Sequence, residues 1–213
     1  IILRGGKETL NTNQALIKLI HQALEGAKLP ITAVQFIDSI DRSLVMGLLQ
    51  MYDWVDMLIP RGGAGLHRFC REHSRIPVIT GGIGICHLFV DSSADQAAAL
   101  DVIYNAKTQR PTVCNALDTV LVHQAVAQKF IPSLIAHLVP AGVKFRLDPS
   151  ALTFVDHDRI DRESIQPAGE DDFDREWLSL VLGIRVVPGL PAALAHIQKH
   201  STGHSDGILT RDD

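Results

Sequence analysis

Cys114 stands in a connector whose residue types suit covalent chemistry at a carbonyl. Asn105, Lys107, Gln109 and Arg110 precede it, Pro111 breaks the helical pattern before it, and Asn115 follows it. A thiol attacks as its thiolate, and neighbouring cations such as Lys107 and Arg110 favour that form. The amides of Asn105, Gln109 and Asn115 can donate hydrogen bonds to a developing oxyanion. The pattern points to attack on an acyl group. It is also readable as a small apolar side chain buried where a loop meets a strand, the commoner situation for a free cysteine. The rest of the chain has to weigh the two.

Two glycine-rich turns carry a second kind of chemistry. Arg4 and Lys7 flank Gly5-Gly6 after one apolar run, and Arg61-Gly62-Gly63-Ala64-Gly65 follows another and opens a helical pattern. Glycine lets a backbone approach a phosphate closely, and a helix N-terminus favours the anion. The spacing is not the GxGxxG fingerprint, and an ordinary strand-to-helix turn would also be glycine-rich. Together, Arg4, Lys7, Gly62, Gly63 and Gly65 suggest a phosphorylated nucleotide lying across the carboxyl ends of parallel strands.

Those loops need strands that end where they begin. Apolar runs at residues 1–4, 33–37, 55–59 and 77–80 alternate with helical patterns over about 9–27, 41–51 and 66–72. The alternation predicts a parallel, doubly wound sheet in which residues 1–4 are buried. Thr80-Gly81-Gly82-Ile83-Gly84 reads as a hinge or crossover. It divides the chain into residues 1–82, a partial nucleotide-binding domain, and residues 83–213, an α/β domain carrying Cys114. In the second part, strands are expected at 87–90, 119–123, 143–147, 177–187 and 207–210. Helices are expected at 94–105, at 125–138 with an interruption near Pro132, and at 192–200. Residues from about 149 to 174 read as a charged excursion with little core.

Composition excludes several classes. A formal net charge of -4 argues against a general nucleic-acid binder, and no apolar run is long enough for a transmembrane helix. Three cysteines, Cys70, Cys86 and Cys114, do not make a disulfide framework, so a reducing cytoplasm is the expectation. His67, His73, His87, His123, His137 and His157 show no metal-ligand spacing and read mostly as surface or capping residues, and no metal is expected. Ile1-Ile2-Leu3 reads as the inside of a strand, and the chain ends just after another strand pattern, so it reads as a fragment.

Several longer motifs, in order, carry a family resemblance. They are Ile2-Leu3-Arg4-Gly5-Gly6-Lys7-Glu8, Leu58-Ile59-Pro60-Arg61-Gly62-Gly63, Pro77-Val78-Ile79-Thr80-Gly81-Gly82-Ile83-Gly84, the run from Asn105 to Pro111 with Cys114-Asn115, and His204-Ser205-Asp206. Together they resemble γ-glutamyl phosphate reductases, also called glutamate-5-semialdehyde dehydrogenases, a branch of the aldehyde dehydrogenase superfamily. The resemblance covers essentially the whole chain. It implies an aldehyde dehydrogenase-like fold, with a partial doubly wound parallel-sheet cofactor domain followed by an α/β catalytic domain. The implied activity is NADPH-dependent reduction of L-glutamyl 5-phosphate to L-glutamate 5-semialdehyde and phosphate, in proline biosynthesis. Cys114 would be the nucleophile, forming a thioacyl intermediate. Family members are longer at both ends, and the oxyanion-binding Asn of the superfamily would fall before residue 1. A truncated, catalytically incomplete module is therefore the alternative.

The resemblance also implies individual roles. Lys7 stands where NAD-preferring members carry Glu, and with Arg4 it suits the 2′-phosphate of NADP(H). Glu176 matches the glutamate that holds the nicotinamide ribose. Lys107, Gln109 and Arg110 are the candidates for the substrate phosphate. Ile79 occupies the place of the Glu that activates water in hydrolytic members, which favours acyl-phosphate chemistry over hydrolysis. Implied partners are L-glutamyl 5-phosphate and phosphate, a functional link to glutamate 5-kinase, and further copies of a longer polypeptide in a homo-oligomer.

Overall fold

The computed structural model describes residues 1–79, 81, 83–155 and 164–212. Thr80 and Gly82 of the expected hinge, His157 and the middle of the expected 149–174 excursion lie outside the described residues. The chain forms two compact units, Ile1–Gly81 and Gly82–Asp213.

In the first unit, strand β1 (Ile2–Leu3) pairs in parallel with β2 (Gln35–Phe36), and helix α1 (Leu10–Gly26) connects them. The half-buried face of α1 carries Asn13, Ile17, Ile20 and Leu24, the three-to-four spacing of an amphipathic helix. α1 closes with Lys28 in the left-handed region at φ 57, which lets the Leu29 N–H reach back to the Leu24 carbonyl at 2.8 Å. Helix α2 (Ser43–Leu49) starts after Asp41, whose carboxylate accepts from the Ser43 N–H at 2.9 Å. Helix α3 (Ala64–His73) starts after Gly63, with no side-chain cap.

The second unit is a six-stranded, all-parallel sheet. Its strands are β3 (Cys86–Val90), β4 (Leu117–His123), β5 (Lys144–Leu147), β6 (Ile165–Pro167), β7 (Val181–Val187) and β8 (Asp206–Leu209). Their spatial order is β6-β5-β7-β4-β3-β8. Helices α4 (Gln96–Thr108), α5 (Gln124–Leu138), α6 (Pro149–Leu152) and α7 (Leu190–His200) are the crossovers. Successive side chains of a strand point to opposite faces. Val120 and Val122 accordingly join the large core with α4 and α5, while Leu121 joins Phe89, Val187 and Ala193 on the other face. A central strand buried on both sides reads as a near-continuous apolar run, as β4 does.

Several expected elements differ. Residues 1–4 are not buried: Ile2 and Leu3 are exposed, because β1 pairs only with β2 among the described residues and α1 buries no residue against it. The expected strands at 55–59 and 77–80 reduce to one parallel bridge, Leu58 with Val78, since Pro60 and Pro77 lack the N–H to extend a ladder. α5 runs unbroken through Pro132, whose ring lies on its exposed side. The strand expected from 177 begins only at Val181, because Leu178 at φ 47 takes the backbone out of the extended region. The 149–174 stretch is no mere excursion. It supplies α6 with Ala151 buried, the edge strand β6, and a buried Phe173.

Candidate active site

Cys114 is placed by a helix end and a strand start. Asp95 caps α4 by accepting from the Ala97 and Ala98 N–H groups, and the helix runs to Thr108. Pro111 cannot continue it, and turns through residues 111–116 carry the chain into β4. The Val113 N–H bonds the Arg110 carbonyl at 3.4 Å and the Ala116 N–H bonds the Val113 carbonyl at 3.0 Å. This leaves the Cys114 side chain exposed at the amino-terminal edge of the sheet, not buried at a junction. Asn105, Gln109, Arg110 and Asn115 are exposed around it in sequence, and no side-chain hydrogen bond engages them among the described residues.

Lys107 lies elsewhere than a polar connector. It is inside α4, fully buried, and its Nζ donates to the Leu117 carbonyl at 2.9 Å. Burial pulls its pKa down to about 8, against the opposing pull of the nearby Asp118 carboxylate. The last turn of a helix is where backbone carbonyls lack partners, and a lysine there is favourable.

Behind the Cys114 turn passes the segment that enters β3. A Cβ on Gly84 would overlap the Cys114 carbonyl oxygen and lie 2.7 Å from its carbonyl carbon, so only glycine fits. The Cys86 thiol donates to the same carbonyl at 3.3 Å. Burial, reinforced by the charges of Asp118 and Asp206, pushes the Cys86 pKa up to about 12, so it stays a protonated donor.

Four consecutive amides of this segment are held by side chains from four places. The Gly84 N–H donates to Glu176 Oε1 at 3.1 Å, and the Ile85 N–H to Thr202 Oγ1 at 3.1 Å. The Cys86 N–H donates to Asp118 Oδ2 at 3.2 Å, and the His87 N–H to Asp206 Oδ1 at 3.2 Å. Thr202 also donates its hydroxyl hydrogen to the Ile83 carbonyl. Asp118 reaches further, since its Oδ1 accepts from the Trp177 N–H at 3.1 Å. Burial raises the Asp118 pKa, although the amides of Trp177 and Cys86 and the charge of Lys107 work the other way.

The structure therefore brings Cys114 and Glu176 into one cluster of the second unit, with Lys107 buried beneath. The nucleotide candidates are in the first unit. The Arg4 guanidinium donates to the Ile40 and Asp41 carbonyls at 3.3 and 3.4 Å, while its buried Nε has no partner among the described residues. Lys7 is exposed in a short 3₁₀ turn, Gly62 and Gly63 precede α3, and Gly65 is in its first turn. A cavity of about 200 Å³ opens beside Arg4, Gly5, Asn13, Ile17 and Phe36. Among the described residues, no group of three or more His, Cys, Asp or Glu side chains is arranged to hold a metal ion. No described helix is long and apolar enough to cross a membrane.

Sequence reasoning missed Asp118, although a carboxylate inside an apolar β-branched run is itself a signal. It treated Gly84 as a hinge glycine, whereas the close approach of Cys114 is what demands it. His87 is not at the surface. It is buried beside His196, ring centroids 5.3 Å apart, and His196 lies 4.4 Å from His200.

No family model matches the chain. The γ-glutamyl phosphate reductase of Psychromonas ingrahamii is 56% identical over 211 residues, which are 99% of this chain and 49% of that protein. The chain thus spans about half the length of the curated relatives it matches. The crystal structure of γ-glutamyl phosphate reductase from Thermotoga maritima superposes with a TM-score of 0.90 at 42% identity, covering all of this chain and 50% of that one. An acetylating aldehyde dehydrogenase from Geobacillus thermoglucosidasius shares the fold, with a TM-score of 0.71 at 17% identity over 100% of this chain and 54% of its own.

Proposed function

We infer that the chain belongs with the γ-glutamyl phosphate reductases, and propose that it supplies the catalytic cysteine of NADPH-dependent reduction of L-glutamyl 5-phosphate to L-glutamate 5-semialdehyde. The observation that carries this reading is an exposed Cys114, backed by a glycine-sealed turn, in a chain so similar to proteins of that name. Residues 83–213 form the catalytic domain, and residues 1–82 part of the NADP-binding domain.

Cys114 Sγ attacks the acyl carbon, the bond from that carbon to the phosphate oxygen breaks, and phosphate leaves with the electron pair. Arg110 and Gln109 bind the departing phosphate, and the amides of Asn105 and Asn115 donate to the oxyanion. With no carboxylate at Ile79 to activate water, the thioester persists. A bound NADPH would supply hydride to the acyl carbon held on Cys114; the bond from that carbon to Cys114 Sγ would then break, its electron pair returning to sulfur, and release the aldehyde. The first unit fits such a cofactor: Arg4 Nε lacks a partner among the described residues, and α3 begins at Gly63 with no side-chain cap, which suits a phosphate. Within the first unit, Arg4 and Lys7 would take the 2′-phosphate and Gly62, Gly63 and Gly65 the pyrophosphate; in the second, Glu176 is the residue that the resemblance assigns to the nicotinamide ribose. The setting would be the cytoplasm, with an acyl phosphate supplied by a glutamate 5-kinase and a homo-oligomer formed by the longer polypeptide.

The test runs the reaction in reverse. Semialdehyde, phosphate and NADP are mixed with the protein, and NADPH is followed with and without phosphate. Phosphate-dependent formation that disappears in Cys114→Ser is expected. Phosphate-independent oxidation would put a hydrolytic aldehyde dehydrogenase in its place. The half-length match to relatives favours one second reading, a catalytically incomplete module of the same enzyme. Silence here beside an active relative of full length would establish it.

A further inference from the structure

We propose that Asp118 is a positioning residue for Cys114: one buried carboxylate that ties the entries of β3 and β7 together behind the nucleophile's turn, with Lys107 as its counter-charge. The proposal rests on the reading of Cys114 as the acylated nucleophile.

The geometry requires two acceptors in one side chain. Asp118 is 2% exposed, and its two oxygens receive N–H groups from different segments, Cys86 on one and Trp177 on the other. A carboxylate satisfies both, whereas an amide of the same shape has one acceptor oxygen and would turn its NH₂ against the second N–H. What the carboxylate holds is the wall of the site. Cys86 follows Gly84, whose backbone lies against the Cys114 carbonyl, and Trp177 follows Glu176, which accepts the Gly84 N–H. Asp118 is itself four residues beyond Cys114, in the strand that the Cys114 turn leads into. Three chain segments thus converge on one side chain, and each also touches Cys114 or a residue that touches it.

Lys107 completes the device from below. Its Nζ bonds the carbonyl of Leu117, the residue before Asp118, and the two charges favour each other's ionised form. Burial nevertheless moves both toward neutrality, so the pair does not recover the full cost of leaving water. Two buried charges that act on each other without direct contact add little stability, and are better explained by what they fix in place: the Leu117 carbonyl by Lys107, and the Cys86 and Trp177 amides by Asp118. Both oxygens of Asp118 face N–H donors, a pairing that the ionised carboxylate satisfies with either oxygen.

The experiment compares the unaltered chain with Asp118→Asn and Lys107→Met. Amide hydrogen exchange is read at Cys86, Trp177 and, as reference, Leu182 in the core of β7. Asp118→Asn should speed exchange at Cys86 and Trp177 at least tenfold while Leu182 stays within twofold. Lys107→Met should speed the same two amides at least threefold, and serves alone if Asp118→Asn does not fold. Unchanged exchange at Cys86 and Trp177, or an equal rise at all three amides, overturns the clamp.

A second readout separates positioning from plain structural support. Acetyl phosphate acylates Cys114 only if the carbonyl and its oxyanion are correctly seated, whereas iodoacetamide needs only an accessible thiolate. Asp118→Asn should slow acylation at least tenfold and change alkylation less than threefold. Parallel changes in both rates overturn the positioning role. If the unaltered chain is alkylated but never acylated, the acyl-transfer reading fails, and the clamp then stands or falls on hydrogen exchange.

Discussion

Gly84→Ala is the substitution most directly set by the geometry. The added methyl carbon would overlap the Cys114 carbonyl oxygen and sit 2.7 Å from the carbonyl carbon. Two carbons are comfortable at about 3.5 Å and the overlapping oxygen demands still more room, so the Cys114 turn and the entry of β3 must part by at least about 1 Å. The β3 side is not free to yield, because the four amides from Gly84 to His87 are each bonded to a side chain of another element, so the Cys114 turn must take most of the shift. Forcing a methyl into such a contact costs about 1–3 kcal/mol. A shift of that size at a reacting group costs about 100-fold in rate. Gly47→Ala in α2 is the control, since nothing lies within 4 Å of its added carbon, and it should gain roughly 0.5 kcal/mol as an ordinary helix substitution. Urea unfolding measures the stability of both variants, and intact-mass detection of Cys114 acylation by acetyl phosphate measures the site. If Gly84→Ala loses less than about 0.5 kcal/mol and acylates at the native rate, the sealed turn is not what places the nucleophile.

The remaining predictions concern stability. Burial lowers the pKa of His87, opposed by Asp206, and that of His196 to about 3, helped by His200, His87, Arg185 and Lys199. The folded state therefore holds both rings neutral while the unfolded chain takes up protons near pH 6.5, so stability is intact above that pH. Below it, about 1.4 kcal/mol is lost per pH unit per ring, continuing toward pH 3 for His196, and a urea midpoint that does not fall between pH 7 and pH 5 would refute this. Leu178 holds φ 47 while its side chain is 44% exposed, so Leu178→Gly should gain up to about 1 kcal/mol and Leu178→Val should lose at least as much; equal thermal midpoints would count against strain there. Pro132→Ala should restore a helical N–H to the Gln128 carbonyl and stabilise α5 by about 1 kcal/mol, read as a rise of a few degrees in Tm, and a fall would mean the proline shapes the helix usefully.

How much was legible in the sequence depended on whether a feature was local. The helices α1, α4 and α7 and the strands β3, β4 and β8 follow from periodicity and caps within a few residues, and the parallel sheet follows from their alternation. Cys114 was legible because proline and polar side chains mark its turn. What was not legible came from distance in the chain. The Gly84 contact joins residues 30 apart, the bond from Trp177 to Asp118 spans 59, and that from Ile85 to Thr202 spans 117. Lys107 has the composition of a loop cation, and only the path of β4 beside α4 decides that its long stem is buried. The exposed apolar residues of the first unit, Leu16, Leu19 and Trp54 among them, read as core by type, and burial is a property of neighbours.

The location of Cys114 runs against the usual rule for parallel sheets, and the second unit itself supplies the reason. Ligands generally gather at the carboxyl ends of strands because helix N-termini with unpaired amides face there. Here three of the four crossover helices already have partners for those amides from the chain, while α7 starts at Gly189 with no side-chain cap. Asp95 caps α4, His123 Nδ1 accepts at the start of α5, and Asp148 accepts at the start of α6. Asp91, at the end of β3, is occupied with the Ser93 and Thr210 hydroxyls and the Ser93 amide, which hold its pKa at about 2. A helix end whose donors are satisfied internally has little left to offer an anion. At the opposite edge, α4 finishes six residues before Cys114, so the carbonyl end of a helix comes just before the cysteine's turn. A helix C-terminus favours positive charge, and two cations are at hand, Lys107 in the last turn of α4 and Arg110 just beyond. Lys107 is committed to the Leu117 carbonyl, whereas Arg110 is exposed and makes no side-chain hydrogen bond among the described residues, so of the two it is the one open to an incoming anion.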